Sequence, residues 1–485
     1  MELRQQAILG VKWAALAQGG KLAAQLITTG VLAHLLAPNA FGVVSMATVV
    51  TGFVLLLKDM GTYAAIIQKT ELSTDLVSSV YWFNVALGCL ITGALYLAAP
   101  IVASFYHEPT VAPVLRLLSF SFVLSSVSSI QQALLEKKMA FNQLAKIDLA
   151  ATIGGSAVGI VAAFRGYGAM SLVYQTLFST VATTILLWVV SDWKPQFFFS
   201  PSRINQLRSY SLPLSGFNIL NYFIRNADNL LVGKYLGAAP LGDYSLAYRL
   251  LLFPISNVSG VVGRVMFPVY SRLQDDDTAF RRYYLKVAET ISFVTFPMML
   301  GFAVVAKPFV SVFAGAQWHD VVPLLWVLAP LGMMQSVGTT VGSIYNAKGR
   351  TDTQFKWGLF SSIIILFSFI IGLKWGVIGV ATAYALTSTA ILYPSFAIPF
   401  RFIGLGVKSF LGALWKNFLG AALMAVFVLC IELVLGGRPA YEVLLLSVCG
   451  GTLFYIGYSA LLNRELLIST LQMAGVQRRS LGAPS

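Results

Sequence analysis

The sequence predicts an all-α integral membrane protein, on the evidence of its composition, its recurring apolar runs and the placement of its basic residues. Of 485 residues, 57% are hydrophobic and only 11% are charged, whereas a soluble domain carries roughly 25% charged residues. Apolar runs of about 20 residues, the length that crosses a bilayer as a helix, recur from one end of the chain to the other. A single water-soluble core could not bury so much apolar surface.

Apolar runs bounded by charged residues or by Pro and Gly define about fourteen predicted transmembrane helices. The first six are 10–35, 40–57, 77–102, 112–134, 147–164 and 168–190. The next six are 209–234, 241–263, 288–306, 321–343, 357–373 and 375–400, and two more follow at 417–436 and 441–462. An even number of spans places both termini on the same side, which we assign to the cytoplasm.

The basic residues support this topology. With both termini inside, 24 of the 33 Lys and Arg residues fall in cytoplasmic segments, 5 in outer segments and 4 within spans. No cytoplasmic segment has fewer than two basic residues and no outer segment has more than one, as the positive-inside rule requires. The net charge of +14 therefore reflects orientation and contact with anionic lipid, and it does not indicate nucleic-acid binding.

The chain also contains a predicted internal repeat. A shift of 200 residues aligns Leu36, Gly42, Ser45 and Ala47 with residues of the same type, and a shift of 210 aligns Lys138, Gly166 and Tyr174 with Lys348, Gly376 and Tyr384. Parallel six-helix repeats are a transporter design in which the site lies between the two halves. We therefore expect two pseudo-symmetric six-helix lobes around a central cavity, at 1–200 and 201–402, with accessory helices 13 and 14 and a cytoplasmic tail at 403–485.

Charged residues deep in the predicted spans are the candidate functional residues, because a charge near the bilayer centre costs about 2.5–3.5 kcal/mol on insertion scales. Lys21, Arg225 and Arg249 are predicted to form a cationic cavity that binds an anionic substrate such as a phosphate or pyrophosphate headgroup. Asp228 lies three residues after Arg225 on the same helix face, where the two can pair. On binding a proton or a cation, Asp228 would release Arg225. It is therefore the candidate for coupling to a proton or sodium gradient. Weaker candidates are Arg116, Asp148 and Glu289.

Other chemistries find no support in the sequence. No cofactor is predicted, and the three cysteines lie in apolar runs without metal-ligand spacing. Nucleophile, metal and phosphate-cradling motifs are absent from the sequence, and the outer loops are short. The sequence thus predicts a transporter and not an enzyme such as a membrane polymerase or glycosyltransferase. A non-transporting scaffold would not need charges inside its spans.

Several stretches resemble the polysaccharide transporter family of the multidrug/oligosaccharidyl-lipid/polysaccharide (MOP) flippase superfamily, in particular Wzx-type exporters of the colanic acid and teichuronic acid kind. The resembling stretches are 10–13, 35–38, 41–42, 131–136, 225–231, 241–249, 264–268, 271–274 and 349–352. The resemblance covers most of the chain to about residue 400. Among the candidate residues, only Arg225, Asp228 and Arg249 lie inside these motifs, and Lys21 depends on its depth alone.

The resemblance implies a flippase that moves undecaprenyl-pyrophosphate-linked oligosaccharide from the cytoplasmic to the periplasmic leaflet for exopolysaccharide, capsule or O-antigen (lipopolysaccharide) synthesis. It implies the bacterial inner membrane, with membrane lipids, a polysaccharide polymerase and chain-length machinery as further partners. An ion-coupled drug or metabolite antiporter and a lipid II flippase of the same superfamily stay open as alternatives. A drug antiporter would need acidic residues in the cavity, whereas the candidates here are mostly basic.

Overall fold

Long helices dominate the computed structural model, which describes residues 2–58, 63, 66–67, 72–201, 222–223, 225–256, 266, 270 and 272–473. The described residues contain no strand. They divide into two compact units, Met1–Ser245 and Leu246–Ser485. The predicted lobe boundaries at residues 200 and 402 stay a prediction.

The first unit begins with six long helices that follow the first six predicted spans. They are α1 (Glu2–Leu35), α2 (Pro38–Lys58), α3 (Thr74–Tyr106), α4 (Val111–Lys137), α5 (Phe141–Phe164) and α6 (Met170–Val190). Local sequence explains their ends: Pro38 opens α2, where a missing N–H costs nothing, and the Ser73 hydroxyl caps α3 by accepting from the Leu76 amide. Helix α5 packs against both α1 and α6, and α4 packs against α2, α3 and α6.

Two further helices continue the chain, α7 (Ala227–Leu236) and α8 (Ala238–Pro254). Helix α7 and the first turns of α8 belong to the first unit, and the rest of α8 begins the second. Residues 209–221 of the seventh predicted span lie outside the described residues. So do 257–260 and most of 261–271, which include the end of the eighth span and the 264–268 motif.

The second unit is also helical. Its helices are α9 (Asp277–Val304), α10 (Ala306–Phe313), α11 (Val321–Gly338), α12 (Val341–Ala347), α13 (Thr351–Gly372), α14 (Gly376–Ala390), α15 (Leu392–Arg401), α16 (Val407–Val434), α17 (Ala440–Leu462) and α18 (Arg464–Met473). Short 3₁₀ turns lie at Ala316–Trp318 and Leu373–Trp375. Its core is aromatic: Tyr284 is fully buried, donates to or accepts from the Thr340 hydroxyl at 2.8 Å, and meets the rings of Phe400 and Phe410.

The prediction of a multi-pass all-α membrane protein is confirmed. Within the described residues, ten helical segments are long and apolar enough to cross a membrane. One of them, Thr351–Arg401, is 51 residues long and contains two of the predicted spans. Large apolar side chains point away from the protein, as lipid contact requires: Leu97 is 77% exposed and Leu433 is 82% exposed. The total of fourteen spans stays a prediction.

The turns that follow α4 and α12 have the same backbone conformation, as the 210-residue shift predicts. Lys138 and Lys348 end these helices with φ of −75° and −91°. The next residues, Met139 and Gly349, then adopt left-handed φ of 55° and 63°. Gly166 and Gly376, also 210 residues apart, have φ of 79° and 71°, a conformation that glycine adopts without steric cost. Two pairs of turns that lie 210 residues apart thus share their backbone conformation, and the repeat of whole lobes stays a prediction.

Helix α16, the thirteenth predicted span, is fixed to α9 by a buried amide. The Asn417 side chain is 1% exposed. Its Nδ2 donates to the Glu289 carbonyl at 2.9 Å and to the Ser292 hydroxyl at 2.8 Å, and its Oδ1 accepts from Asn463 Nδ2 at 2.7 Å. Polar side chains in apolar surroundings join helices because an unpaired polar group there is costly. The described part of this accessory helix is therefore an integral part of the second unit.

Replacing Asn417 with alanine is expected to destabilise the purified protein by about 1–3 kcal/mol, since Ser292 and Asn463 would lose a buried partner. A thermal unfolding assay in detergent measures the change as a lower melting temperature. Thr452→Ala on α17 is the matched control, because that hydroxyl is exposed and bonds only within its own helix. Equal melting temperatures for the two variants would contradict the assigned role of Asn417.

Candidate functional site

A polar cavity of about 610 Å³ lies within the first unit. Its volume falls inside the range of roughly 300–1,000 Å³ that is common for small-molecule sites. Helices α1, α2, α4, α5 and α6 and the isolated described residue Tyr63 form its wall. The lining residues are Lys21, Lys58, Tyr63, Ser125, Ser128, Ser129, Gln132, Glu136, Asp148, Ala151, Thr152, Ser179, Thr180, Thr183 and Thr184. A polar cavity among membrane-spanning helices is costly to form and indicates a site for a polar molecule.

Eight of these lining residues are Ser or Thr. Such residues can stay helical in apolar surroundings because the hydroxyl bonds a carbonyl of the preceding turn. Thr152 donates to the Asp148 carbonyl at 2.7 Å, and Thr180 donates to the Thr176 carbonyl at 2.9 Å. Other hydroxyls join helices: Ser179 donates to the Ala151 carbonyl at 3.0 Å. The hydroxyls thus support the helix packing and also face the cavity.

An ion pair between Lys21 of α1 and Asp148 of α5 lies in the cavity wall. Lys21 Nζ lies 3.1 Å from Asp148 Oδ2, and the two side chains are 31% and 51% exposed. The sequence placed both residues among the candidates, but it treated Lys21 as a substrate ligand and Asp148 as a weaker separate position. The structure brings them together because α1 packs along α5, where Gly20 lies against Leu149.

Lys58 is a second cation at this cavity, and the sequence did not indicate it as a site residue. Its position after the second apolar run predicts a cytoplasmic segment. In the structure Lys58 is the last residue of α2, is half-buried, and donates to the Ser125 hydroxyl at 2.6 Å. Two acidic residues, Asp148 and Glu136, balance the two lysines in the wall. The polar run 125–132 could have marked α4 as a cavity helix.

The predicted pairing of Arg225 with Asp228 is wrong for the described residues, among which no ion pair joins the two. Asp228 is buried at 5% exposure; its carboxylate accepts from the Tyr244 hydroxyl at 3.0 Å and from the Asn229 amide at 2.8 Å. Arg225 is exposed instead. The α-helix is interrupted by a turn at Asn226, between the two residues. The geometry of a continuous helix, which an i,i+3 pair needs, therefore does not hold.

The remaining candidates are dispersed. Arg116 of α4 is half-buried, with its guanidinium 5.2 Å from the centre of the Tyr96 ring, a cation–π contact. Arg249 of α8 and Glu289 of α9 belong to the second unit, where Arg249 is exposed and Glu289 is half-buried. Arg225 is not among the described residues that line the cavity. A shared cationic cavity of Lys21, Arg225 and Arg249 stays a prediction.

The side chains of the described ranges include no group of three or more His, Cys, Asp or Glu residues that could hold a metal ion. The cavity of the first unit provides hydrogen-bonding side chains and paired charges. The cavity can therefore bind and position a polar solute.

Comparison with known proteins gives the family. A family model described as "Polysaccharide biosynthesis protein" matches residues 31–323, which include most of the cavity wall. The chain belongs to this family. The resemblance to polysaccharide transporters that the sequence motifs indicated is thereby confirmed.

Individual relatives match over most of their length. The chain is 28% identical to the lipopolysaccharide biosynthesis protein WzxC of Escherichia coli (strain K12) over 444 residues, which cover 91% of this chain and 90% of WzxC. It is 26% identical to the succinoglycan biosynthesis transport protein ExoT of Rhizobium meliloti (strain 1021), over 73% of this chain and 72% of ExoT.

A solved structure shows the fold. The lipid II flippase MurJ in an inward closed conformation aligns with a TM-score of 0.73 at 17% identity, over 94% of this chain and 99% of MurJ. The predicted all-α fold of many membrane-spanning helices is therefore confirmed.

Proposed function

We propose that this protein is a flippase that moves undecaprenyl-pyrophosphate-linked oligosaccharide from the cytoplasmic to the periplasmic leaflet for polysaccharide synthesis. The observation that carries the proposal is the polar cavity among membrane-spanning helices in a member of the polysaccharide biosynthesis family. A glycan needs such a polar route through the bilayer, whereas its polyprenyl chain can stay in lipid. The named transport role of a relative, ExoT, supports the same reading.

Alternating access is the mechanism that this fold supports, with a site that opens first to one side of the membrane and then to the other. We place the protein in the bacterial inner membrane with both termini in the cytoplasm, as the distribution of basic residues favours. Polysaccharide polymerase and chain-length proteins are the expected partners after the lipid-linked unit reaches the periplasm. Coupling to a proton or sodium gradient through Asp228 belongs to this proposal as well.

Complementation tests the proposal. The chain is expressed in a panel of strains that each lack their own polysaccharide exporter, including E. coli without WzxC, and surface polymer is measured by sugar analysis. Polymer is expected to return in at least one strain and to be absent with empty vector. Surface polymer in none of the strains would contradict the proposal. Rescue of growth in cells depleted of MurJ would instead identify lipid II as the cargo.

A further inference from the structure

The cavity wall of the first unit has a definite hydrogen-bond polarity. A Ser or Thr hydroxyl has one proton to donate and two lone pairs that accept. Six lining hydroxyls, those of Ser125, Ser129, Thr152, Ser179, Thr180 and Thr184, lie within 2.6–3.1 Å of a backbone carbonyl oxygen. A carbonyl can only accept, so each of these hydroxyls uses its proton within the protein. What they offer to the cavity is lone pairs.

Each lysine of the wall has three ammonium protons, and a carboxylate or a hydroxyl of the protein already accepts one of them. Lys21 is already paired with Asp148 at 3.1 Å, and Lys58 donates to Ser125 at 2.6 Å. Asp148 and Glu136 contribute further acceptor oxygens. Two lysines against two carboxylates also leave the lining without a formal excess of positive charge. The wall is therefore rich in acceptors and close to neutral.

A wall of this hydrogen-bond polarity discriminates between the two polar parts of a lipid-linked oligosaccharide, the pyrophosphate and the glycan. A pyrophosphate carries negative charge and only acceptor oxygens, so it needs donors and cations. Sugar hydroxyls and the N–H of N-acetylated sugars donate protons, so they match lone pairs that are already in place. We infer that the cavity of the first unit is the subsite for the glycan and that the pyrophosphate binds elsewhere. This inference rests on the proposed function, and it replaces the expectation that Lys21 binds the phosphate.

Direct sugar binding tests the inference. Full-length protein in detergent is examined by saturation-transfer NMR with free glucose, galactose, N-acetylglucosamine and glucuronic acid, and inorganic pyrophosphate is then added as a competitor. Wild-type protein is expected to transfer saturation to at least one sugar, and equimolar pyrophosphate should not displace it. No signal from any of these sugars, or displacement by pyrophosphate, would overturn the inference.

Variants locate the binding. Thr152→Val combined with Thr180→Val keeps the side-chain shape but removes two acceptors, and we expect sugar binding to weaken about tenfold. Thr176→Val is the matched control: it lies one turn before Thr180 on α6, makes the same bond to a preceding carbonyl, and is exposed outside the cavity. The control should bind as wild type does. Unchanged binding in the double variant would overturn the inference.

A flipping assay separates this inference from the proposed function. Vesicles containing the wild-type protein and undecaprenyl-pyrophosphate-linked N-acetylglucosamine are probed with a galactosyltransferase that cannot cross the membrane. Failure of the wild type here, together with failed complementation, would count against the flippase. Flipping by the wild type alongside unchanged sugar binding in the double variant would leave the flippase standing and remove the glycan subsite.

Discussion

Replacing Gly42 with alanine is expected to destabilise the protein strongly and to remove most of its transport activity. An added Cβ at Gly42 would lie 1.7 Å from the carbonyl oxygen of Ala238. The obstacle is backbone, so no side-chain rotation relieves it, and the start of α2 would have to move away from the start of α8. Overpacking usually costs about 1–3 kcal/mol, and we expect the upper end of that range.

The same contact exists in reverse. A Cβ on Gly242 would lie 1.9 Å from the carbonyl oxygen of Pro38. The 200-residue shift relates residues 38 and 42 to residues 238 and 242. Gly42 thus lies against residue 238, and Gly242 lies against the equivalent residue, 38. Small residues allow such close backbone approach between membrane helices. The two glycines therefore form one reciprocal contact, which lies within the first unit.

This reciprocity predicts the outcome of a double-mutant cycle. Either alanine alone separates the helix ends, and the second methyl group then enters space already opened. The double variant should be destabilised by clearly less than the sum of the single variants. Thermal unfolding and export of polymer are measured for all three proteins. Gly93→Ala on α3 is the control, because nothing lies within 4 Å of its added Cβ and alanine favours a helix. Normal melting temperatures in both single variants would contradict the contact.

The sequence predicted the membrane helices well because span length, apolar composition and charge asymmetry are local properties. The predicted span 112–134 lies inside α4, and 168–190 matches α6 within two residues. The 200-residue repeat also identified Gly42 and Gly242 as equivalent positions. It could not show that each glycine lies against the start of the other helix, since contact between distant segments depends on how the helices pack.

The site was harder to predict for the same reason. Depth within a span indicated Lys21, which lies at the polar cavity, but depth does not reveal a partner 127 residues away on α5. Helix spacing suggested Arg225 as the partner of Asp228, and the buried Tyr244 occupies that role instead. Charges within the spans did not indicate the hydroxyl lining, because Ser and Thr are uncharged. In a membrane helix, a run such as Ser125 with Ser128 and Ser129 also indicates a polar face, because a hydroxyl without a partner is costly there.

Reversing the charge of Lys21 is expected to reduce transport at least tenfold while leaving the protein folded. In Lys21→Glu, a second carboxylate would lie beside Asp148 in the cavity wall, and attraction would become repulsion. Both side chains are partly exposed, at 31% and 51%, so the pair itself is worth only about 0.2–1 kcal/mol. The larger effect comes from two adjacent negative charges, which would change the charge of the cavity and separate α1 from α5.

The exchange of both residues distinguishes a structural pair from a direct ligand. If the pair acts by holding α1 against α5, Lys21→Glu combined with Asp148→Lys should recover most of the transport, because the attraction is restored with its direction reversed. Export of polymer and the amount of folded protein in the membrane are measured together. The control is Lys138→Glu, whose partner Asp192 lies at 3.7 Å and is 94% exposed, so solvent screens the change and transport should stay near wild type.

The result for the exchanged protein also bears on the glycan subsite. Recovery would mean that no group on the cargo depends on the position of the ammonium group, as expected where acceptor oxygens from α4, α5 and α6 recognise neutral sugar. If export of polymer stays low although the exchanged protein folds normally, Lys21 contacts the cargo directly. The pyrophosphate would then be assigned to this cavity. The structure favours recovery, since the ammonium group already has a carboxylate partner before any cargo arrives.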